Sequence, residues 1–339
     1  MQTLVLTAPY EFHFQENAIP QPGAGEVLLQ TRANGICGSD LHFYHGTHPY
    51  RAYPMQLGHE AAARVIDVGE GVSDLKRGDT VVVQPLVSCG TCYPCRQGRT
   101  NCCSRMKTVG VNIPGALAEY YVVPAYCCFK IPAEFPPAWA SLVEPFSIGF
   151  QAVARGQINQ ADRVAILGAG PIGLTALAAA QERGAKVAIT DLLDARLQLA
   201  ARMGADLTIN SKEQNAADML REWTDGDMPS VVIEAVGSPR TIESAIQLVA
   251  DAGRVVVVGL TEQTAQIRGV DMTRKELTIY GSRNNLGLFP NAIDYVTRHR
   301  DLAEAMVTHQ FPFERTIEAF ELADAHPDQV CKVVITMNV

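Results

Sequence analysis

Residues 164–180, VAILGAGPIGLTALAAA, run for seventeen positions without a charge. A membrane helix needs about 20 apolar residues and tolerates few backbone breakers, whereas three glycines and a proline interrupt this stretch. A buried strand that turns through G-x-G-x-x-G into a helix fits better. Gly168 permits the tight turn, Gly170 lets a pyrophosphate approach the backbone, and Gly173 allows helix and strand to pack closely. Pro171 and Ile172 open the helix, whose free N–H groups and positive dipole end suit phosphate.

The same rhythm continues outward. RVAILGAG, IGLTALAAAQERG, KVAITD, ARLQLAARMG, DLTIN, SVVIEAVG, TIESAIQLVADAG, RVVVVGL and LTIYGSR alternate strand and helix, which predicts a parallel sheet covered by helices on both faces. Asp191 ends the second strand, eighteen residues past Gly173. An acid there accepts the ribose hydroxyl protons and repels a 2′-phosphate, favouring NAD over NADP. Arg196, five residues on, could soften that preference, although a solvated helix face is its plainer reading. Backbone groups at Val236, Gly237 and Leu260 would line the rest of the cofactor cleft. An FAD or S-adenosylmethionine site could share the glycines.

Before residue 160 the chain reads as β-rich, with short apolar runs such as GEVLLQTRANG, GDTVVVQPL and EYYVVP between Gly, Pro and Asp. After residue 284 a helix (NAIDYVTRHR) and an apolar run (CKVVIT) leave the alternation, so the tail is expected to rejoin the first domain. Residues 1–147 with 285–339 would then form a catalytic domain and 148–284 a Rossmann domain. The fold class is α/β.

SCGTCYPCRQGRTNCC (88–103) gathers five of nine cysteines. Cys89, Cys92, Cys95 and Cys103 follow C-x2-C-x2-C-x7-C, a spacing that lets four thiolates close on one tetrahedral zinc. A disulfide framework belongs to oxidising compartments, a redox couple needs fewer cysteines, and an iron–sulfur cluster uses the same ligand number. Structural zinc is the favoured reading, with Cys102 a possible rival to Cys103. Four thiolates leave no coordination position for a substrate, so chemistry must lie elsewhere.

The chain has 339 residues, is 47% hydrophobic and carries a net charge of −8, which argues against a nucleic-acid partner. Its first residues show no basic region followed by a long apolar core, and the expected location is the cytoplasm, with no membrane partner. Cys37 in GICGSDLH (35–42) and His59 in LGHEAAARV (57–65) are ligand types that suit an open zinc site. Alone, a buried thiol and a surface histidine would be the plainer reading.

Together, GICGSDLH, GHE, the cysteine cluster, GALAEY, VEPF and GAGPIG resemble, in order and approximate spacing, the zinc-dependent medium-chain alcohol/polyol dehydrogenase family over essentially the whole chain. The resemblance implies that the β-rich domain is GroES-like, that one catalytic and one structural zinc are bound, and that NAD is the cofactor. It implies that Cys37 and His59 ligate the catalytic ion. Glu60 and Glu144 would complete its sphere directly or through water, where the simple-alcohol branch has a cysteine. It further implies that Asp40 fixes the tautomer of His59, that Ser39 takes the substrate proton and that His42 passes it to solvent. Turn-capping Asp and Ser residues and an exposed His are the bland alternatives. A homodimer or homotetramer is the implied assembly.

Within the family, the sequence resembles the RspB and L-galactonate/L-gulonate 5-dehydrogenase group around SR, FP and the terminal CKV, which implies a hexonic acid oxidised at C5. Arg283 in GSRNN (281–285) is a basic side chain suited to a carboxylate. Asn112 departs from the His usual in related sequences. A neutral polyol such as sorbitol, or L-threonine, is the alternative small-molecule substrate. A non-catalytic NAD(H) sensor would have lost a ligand or relay residue, and none is lost.

Overall fold

The computed structural model describes residues 1–337, which divide into two compact units. The first comprises Met1–Glu144 and the described residues from Phe289 onward; the second is Pro145–Leu288.

The first unit is built on a seven-stranded sheet ordered Val307–Pro312, Lys332–Thr336, Glu26–Gly35, Glu60–Val68, Thr80–Val83, Cys128–Lys130, with Tyr120–Pro124 also pairing Glu26–Gly35. Glu26–Gly35 is the hub. Its first half pairs antiparallel with Tyr120–Pro124 and its last residues with the C-terminal strand, Val334 opposite Gly35. The tail therefore rejoins this unit through backbone hydrogen bonds. Eight of the hub strand's ten residues are buried, which explains its near-continuous apolar reading. Before residue 143 its helices are short: Gly38–Tyr44, Tyr93–Arg96 and Pro137–Ala140.

One core cluster of this unit joins Leu4, Leu6, Phe12, Phe43, Tyr44, Phe320 and Ile335. Phe320 lies on the helix Thr316–Ala325, with ring centroids 4.8 Å from Phe12 and 5.6 Å from Tyr44. It fixes the floor beneath Gly38–Tyr44.

The second unit is a six-stranded, all-parallel sheet ordered Leu207–Asn210, Lys186–Asp191, Arg163–Leu167, Val231–Glu234, Arg254–Val257, Thr278–Gly281. In chain order this is 3-2-1-4-5-6, the doubly wound arrangement whose direction reverses beside the first strand. Val164, Ala165, Ile166, Val231, Val232 and Ile233 are fully buried; each buried Val or Ile side chain contributes about 1.5–3 kcal/mol. The uncharged run at 164–180 is strand, turn and helix Pro171–Gln181. Among the described residues no helix is long and apolar enough to cross a membrane.

Phe320→Ala should cost about 3–5 kcal/mol. Urea unfolding followed by far-UV circular dichroism measures this, and a loss below about 1 kcal/mol would show that the cluster does not depend on this ring.

Candidate active site and metal centres

The strand order brings distant residues to one place. Gly35 stands opposite both Glu60 and Val334, so Cys37, just past the hub strand, and Glu60, at the start of its neighbour, emerge side by side. Cys37, His59 and Glu60 each offer a ligand atom, and these lie within 4.8 Å of one another. His59 and Glu60 are buried, at 8% and 0% exposure. A Cβ at Gly35 would stand 2.1 Å from Glu60 Oε2, so only glycine leaves room for that carboxylate.

Asp40 organises the helix start. Its Oδ2 accepts from the Cys37 backbone N–H at 3.0 Å, closing a capping box on Gly38–Tyr44. Its Oδ1 lies 3.4 Å from His59 Nδ1, which leaves Nε2 of that imidazole for a ligand role. Burial opposes charge on His59, but Asp40 and Cys37 outweigh it and raise its pKa well above the ordinary value. His59 Nδ1 and Asp40 Oδ1 are both buried without a well-formed hydrogen bond. Thiol, imidazole and carboxylate are the donor set of an open zinc site, and these residues fit one.

Sequence reasoning missed Lys332. Its Nζ, buried at 2% exposure, donates to Glu60 Oε1 and Oε2 at 2.7 and 2.8 Å and to the Ile36 carbonyl at 3.1 Å. Burial works against its charge, yet Glu60 and Cys37 keep its pKa above the usual lysine value. The CKV motif was visible; its partner lies 272 positions away and no local pattern announces it.

Glu144 falls outside the three-ligand group. Burial pushes its carboxyl up to about 7, with His59 opposing and Glu60 reinforcing the shift, so it stands in the same electrostatic neighbourhood. Ser39 and His42 share the helix Gly38–Tyr44 but no bond joins them among the described residues; His42 Nδ1 is instead 3.1 Å from Thr47 Oγ1. Asn112 Oδ1 accepts from the Thr108 N–H at 3.2 Å, so this oxygen holds its own turn together.

Cys89, Cys92, Cys95 and Cys103 form the second ligand group. Cys92 Sγ lies 3.3 Å from Cys95 Sγ and 3.7 Å from Cys103 Sγ. Four sulfurs around a tetrahedral zinc stand about 3.8 Å apart, whereas a disulfide needs about 2.05 Å, and all nine cysteines are free. Cys102 is outside the group. Backbone N–H groups of Thr91 and Cys92 push the Cys89 thiol down to about 5, and Arg105 Nη2 lies 3.5 Å from its sulfur. The lobe fits a closed zinc site.

In the second unit, Gly168 has φ +100°. A Cβ at Gly173 would stand 1.8 Å from the Gly168 carbonyl, while nothing approaches within 4 Å of one at Gly170. The turn is therefore tight at its first glycine, open at its second and packed at its third, as a pyrophosphate cradle requires. Pro171 and Ile172 begin the helix that Gly170 caps. Asp191 accepts from the N–H groups of Ala169, Leu192 and Leu193 at 2.7 to 3.0 Å. Arg196 is not a solvated helix face: its guanidinium lies 3.7 Å from Asp191, drawn in by the opposite charge. Val236 and Leu260 are exposed at 53% and 62%, and Gly237 packs against Leu260, all at the carboxyl ends of the strands. Glu234, also missed from sequence, is fully buried, and its Oε1 accepts from the N–H groups of Val236 and Gly237 at 2.9 and 2.7 Å. Arg283 is exposed on the segment after Thr278–Gly281.

Lys332→Met keeps the stem and removes the charge, stranding Glu60 in the interior. Breaking one side of a buried ion pair costs about 3–5 kcal/mol, so the metal-free variant should unfold at clearly lower urea concentration than the metal-free wild type; an unchanged midpoint would contradict the pairing.

Comparison with known proteins agrees with this geometry. Residues 23–133 match the alcohol dehydrogenase GroES-like domain and residues 171–298 the zinc-binding dehydrogenase domain. The chain is 35% identical to L-galactonate-5-dehydrogenase of Escherichia coli K12, covering 99% of each chain. It is 36% identical to L-threonine 3-dehydrogenase of Pyrococcus horikoshii, covering 96% of each. The crystal structure of the alcohol dehydrogenase RspB from E. coli CFT073, complexed with NADH, superposes with a TM-score of 0.93 at 36% identity, covering 99% of both chains. Family matches in both units, together with relatives aligned along nearly the whole chain at 35–36% identity, show that the chain belongs to the zinc-dependent medium-chain alcohol dehydrogenase family.

Proposed function

We propose that this chain oxidises the C5 secondary hydroxyl of a hexonic acid, of the L-gulonate or L-galactonate type, to a ketone, with NAD accepting the hydride. The observation that carries the reading is the gathering of Cys37, His59 and Glu60 within 4.8 Å in a chain that also holds a pyrophosphate cradle. Zinc held by Cys37, His59 and a glutamate would supply Lewis-acid polarisation of an alcohol oxygen.

The remaining work belongs to the chain's own groups. Asp40 keeps the His59 proton on Nδ1, directing Nε2 toward the ligand position. Ser39 takes the hydroxyl proton on Oγ as its own hydroxyl proton passes, through intervening water, to the exposed His42 ring and from there to solvent. The helix Pro171–Gln181 offers its N-terminal N–H groups to the cofactor phosphates, and the Asp191 carboxylate accepts from the ribose hydroxyls, which supports NAD over NADP. Arg283 pairs with the substrate carboxylate through two parallel hydrogen bonds. Nine free thiols suit a reducing cytoplasm, and a homodimer or homotetramer is the assembly that the family resemblance implies.

L-threonine is the second reading, favoured by a relative of that activity at 36% identity. Its carboxylate would suit Arg283 equally well, so the arginine alone does not separate the two.

Initial rates of NADH formation with L-gulonate, L-galactonate, sorbitol and L-threonine decide between them. A hexonate should exceed sorbitol and threonine at least tenfold in kcat/KM, about 1.4 kcal/mol of discrimination. Arg283→Ala should then raise KM for the hexonate about tenfold and leave that for sorbitol within twofold. Preference for threonine or sorbitol, or equal effects of the substitution on acid and polyol, would contradict the proposal.

A further inference from the structure

We propose that His48 is a specificity-determining residue that presents its Nε2–H as a fixed donor to an oxygen of a polyhydroxylated substrate. This rests on the dehydrogenase reading of the Cys37–His59–Glu60 group and adds a substrate contact to it.

The loop after Gly38–Tyr44 folds back on the helix that carries Ser39, Asp40 and His42. The backbone N–H groups of Thr47 and His48 both donate to the His42 carbonyl, at 2.9 and 3.1 Å. The His48 ring stacks on Phe43, a residue of that helix, with centroids 3.8 Å apart and planes inclined by 24°. Only 7% of the residue is exposed, so its orientation is set by packing.

The tautomer is set as well. The Tyr50 backbone N–H donates to His48 Nδ1 at 3.1 Å. A nitrogen that accepts carries no proton, so in the neutral ring the proton sits on Nε2. Burial, with help from His42, pushes the pKa down to about 4, and the charges of Asp40 and His59 also reach the ring; the ring is neutral at physiological pH.

Nε2 has no hydrogen-bond partner among the described residues, and it is not one of the buried atoms sealed from solvent, unlike His59 Nδ1. The ring therefore keeps one solvent-reachable donor, Nε2–H, in a fixed orientation. Arg51 adds a cation next to it, donating from Nη1 to the His48 carbonyl at 3.0 Å. A neutral N–H beside a guanidinium suits an oxygen-rich ligand. A site built to hydrogen-bond a substrate oxygen rejects an analogue lacking it, because its donor is left unpaired. A simple secondary alcohol has no second oxygen to offer.

The test compares wild type, His48→Leu and His48→Gln, all zinc-loaded, on L-gulonate, sorbitol and 2-butanol. His48→Leu should lower kcat/KM at least tenfold for the polyhydroxylated substrates, mainly through KM, and change 2-butanol by less than twofold. His48→Gln, which keeps an N–H near the Nε2 position, should recover most of the loss. Equal losses on all three substrates, no loss, or no recovery by Gln would overturn the proposal. A second readout does not need turnover. In 15N-histidine NMR of the NADH-loaded protein, the His48 ring should be Nε2-protonated from pH 6 to 8, and sorbitol should shift its Nε2–H. An Nδ1-protonated ring, or no shift at saturating sorbitol, would overturn it. If wild type oxidised none of the three alcohols, the dehydrogenase reading would fail on its own, while the NMR would still decide the state of His48.

Discussion

The buried pair of Lys332 and Glu60 is the constraint around which the first unit is arranged. A carboxylate with no exposed surface is costly unless its charge is met, and the lysine that meets it comes from the last strand of the chain. That strand reaches the site because it pairs with the end of Glu26–Gly35, and the carboxylate has room because Gly35 lacks a side chain. Cys37 and His59 then sit beside a carboxylate whose position is fixed by a cation and not by solvent. Charge around the candidate ion is thus set by four groups, a thiol, an imidazole, a carboxylate and an ammonium, with Asp40 steadying the imidazole from behind.

What could be read from sequence follows from what is close along the chain. The cysteine lobe is sixteen residues long, so its ligand set could be counted directly, and the sulfurs converge as the spacing predicts. The glycine motif spans six residues and its three roles follow from backbone sterics alone; each glycine has the surroundings those roles require. Strand and helix alternation marked the doubly wound sheet for the same reason. Side-chain pairing was not legible. Nothing near Lys332 points to Glu60, 272 positions away, and even between near neighbours the residue types do not say which way a side chain turns: Glu234 braces the N–H groups of Val236 and Gly237, and Arg196 turns toward Asp191. The two glutamates were equivalent in sequence, and the structure separates them: Glu60 joins Cys37 and His59, and Glu144 stays outside that group.

The two units contribute different kinds of specificity. On the proposed reading, backbone geometry and the acidic Asp191 choose the cofactor in the second unit, which needs little side-chain variety. On the same reading, the metal donors of the first unit set the reacting group and polar side chains on loops the remainder of the substrate, which is where family members can differ without changing the chemistry. This division explains why relatives with similar identity carry names as different as L-galactonate-5-dehydrogenase and L-threonine 3-dehydrogenase.

Zinc stoichiometry is the most direct test of the central claim. Metal analysis of the purified chain should find two zinc ions in the wild type. With Cys37 and His59 both replaced by Ala it should find one, held by the cysteine lobe, in a protein whose circular dichroism is unchanged. One zinc in the wild type, or two in the double variant, would contradict the assignment of Cys37 and His59 to a metal site.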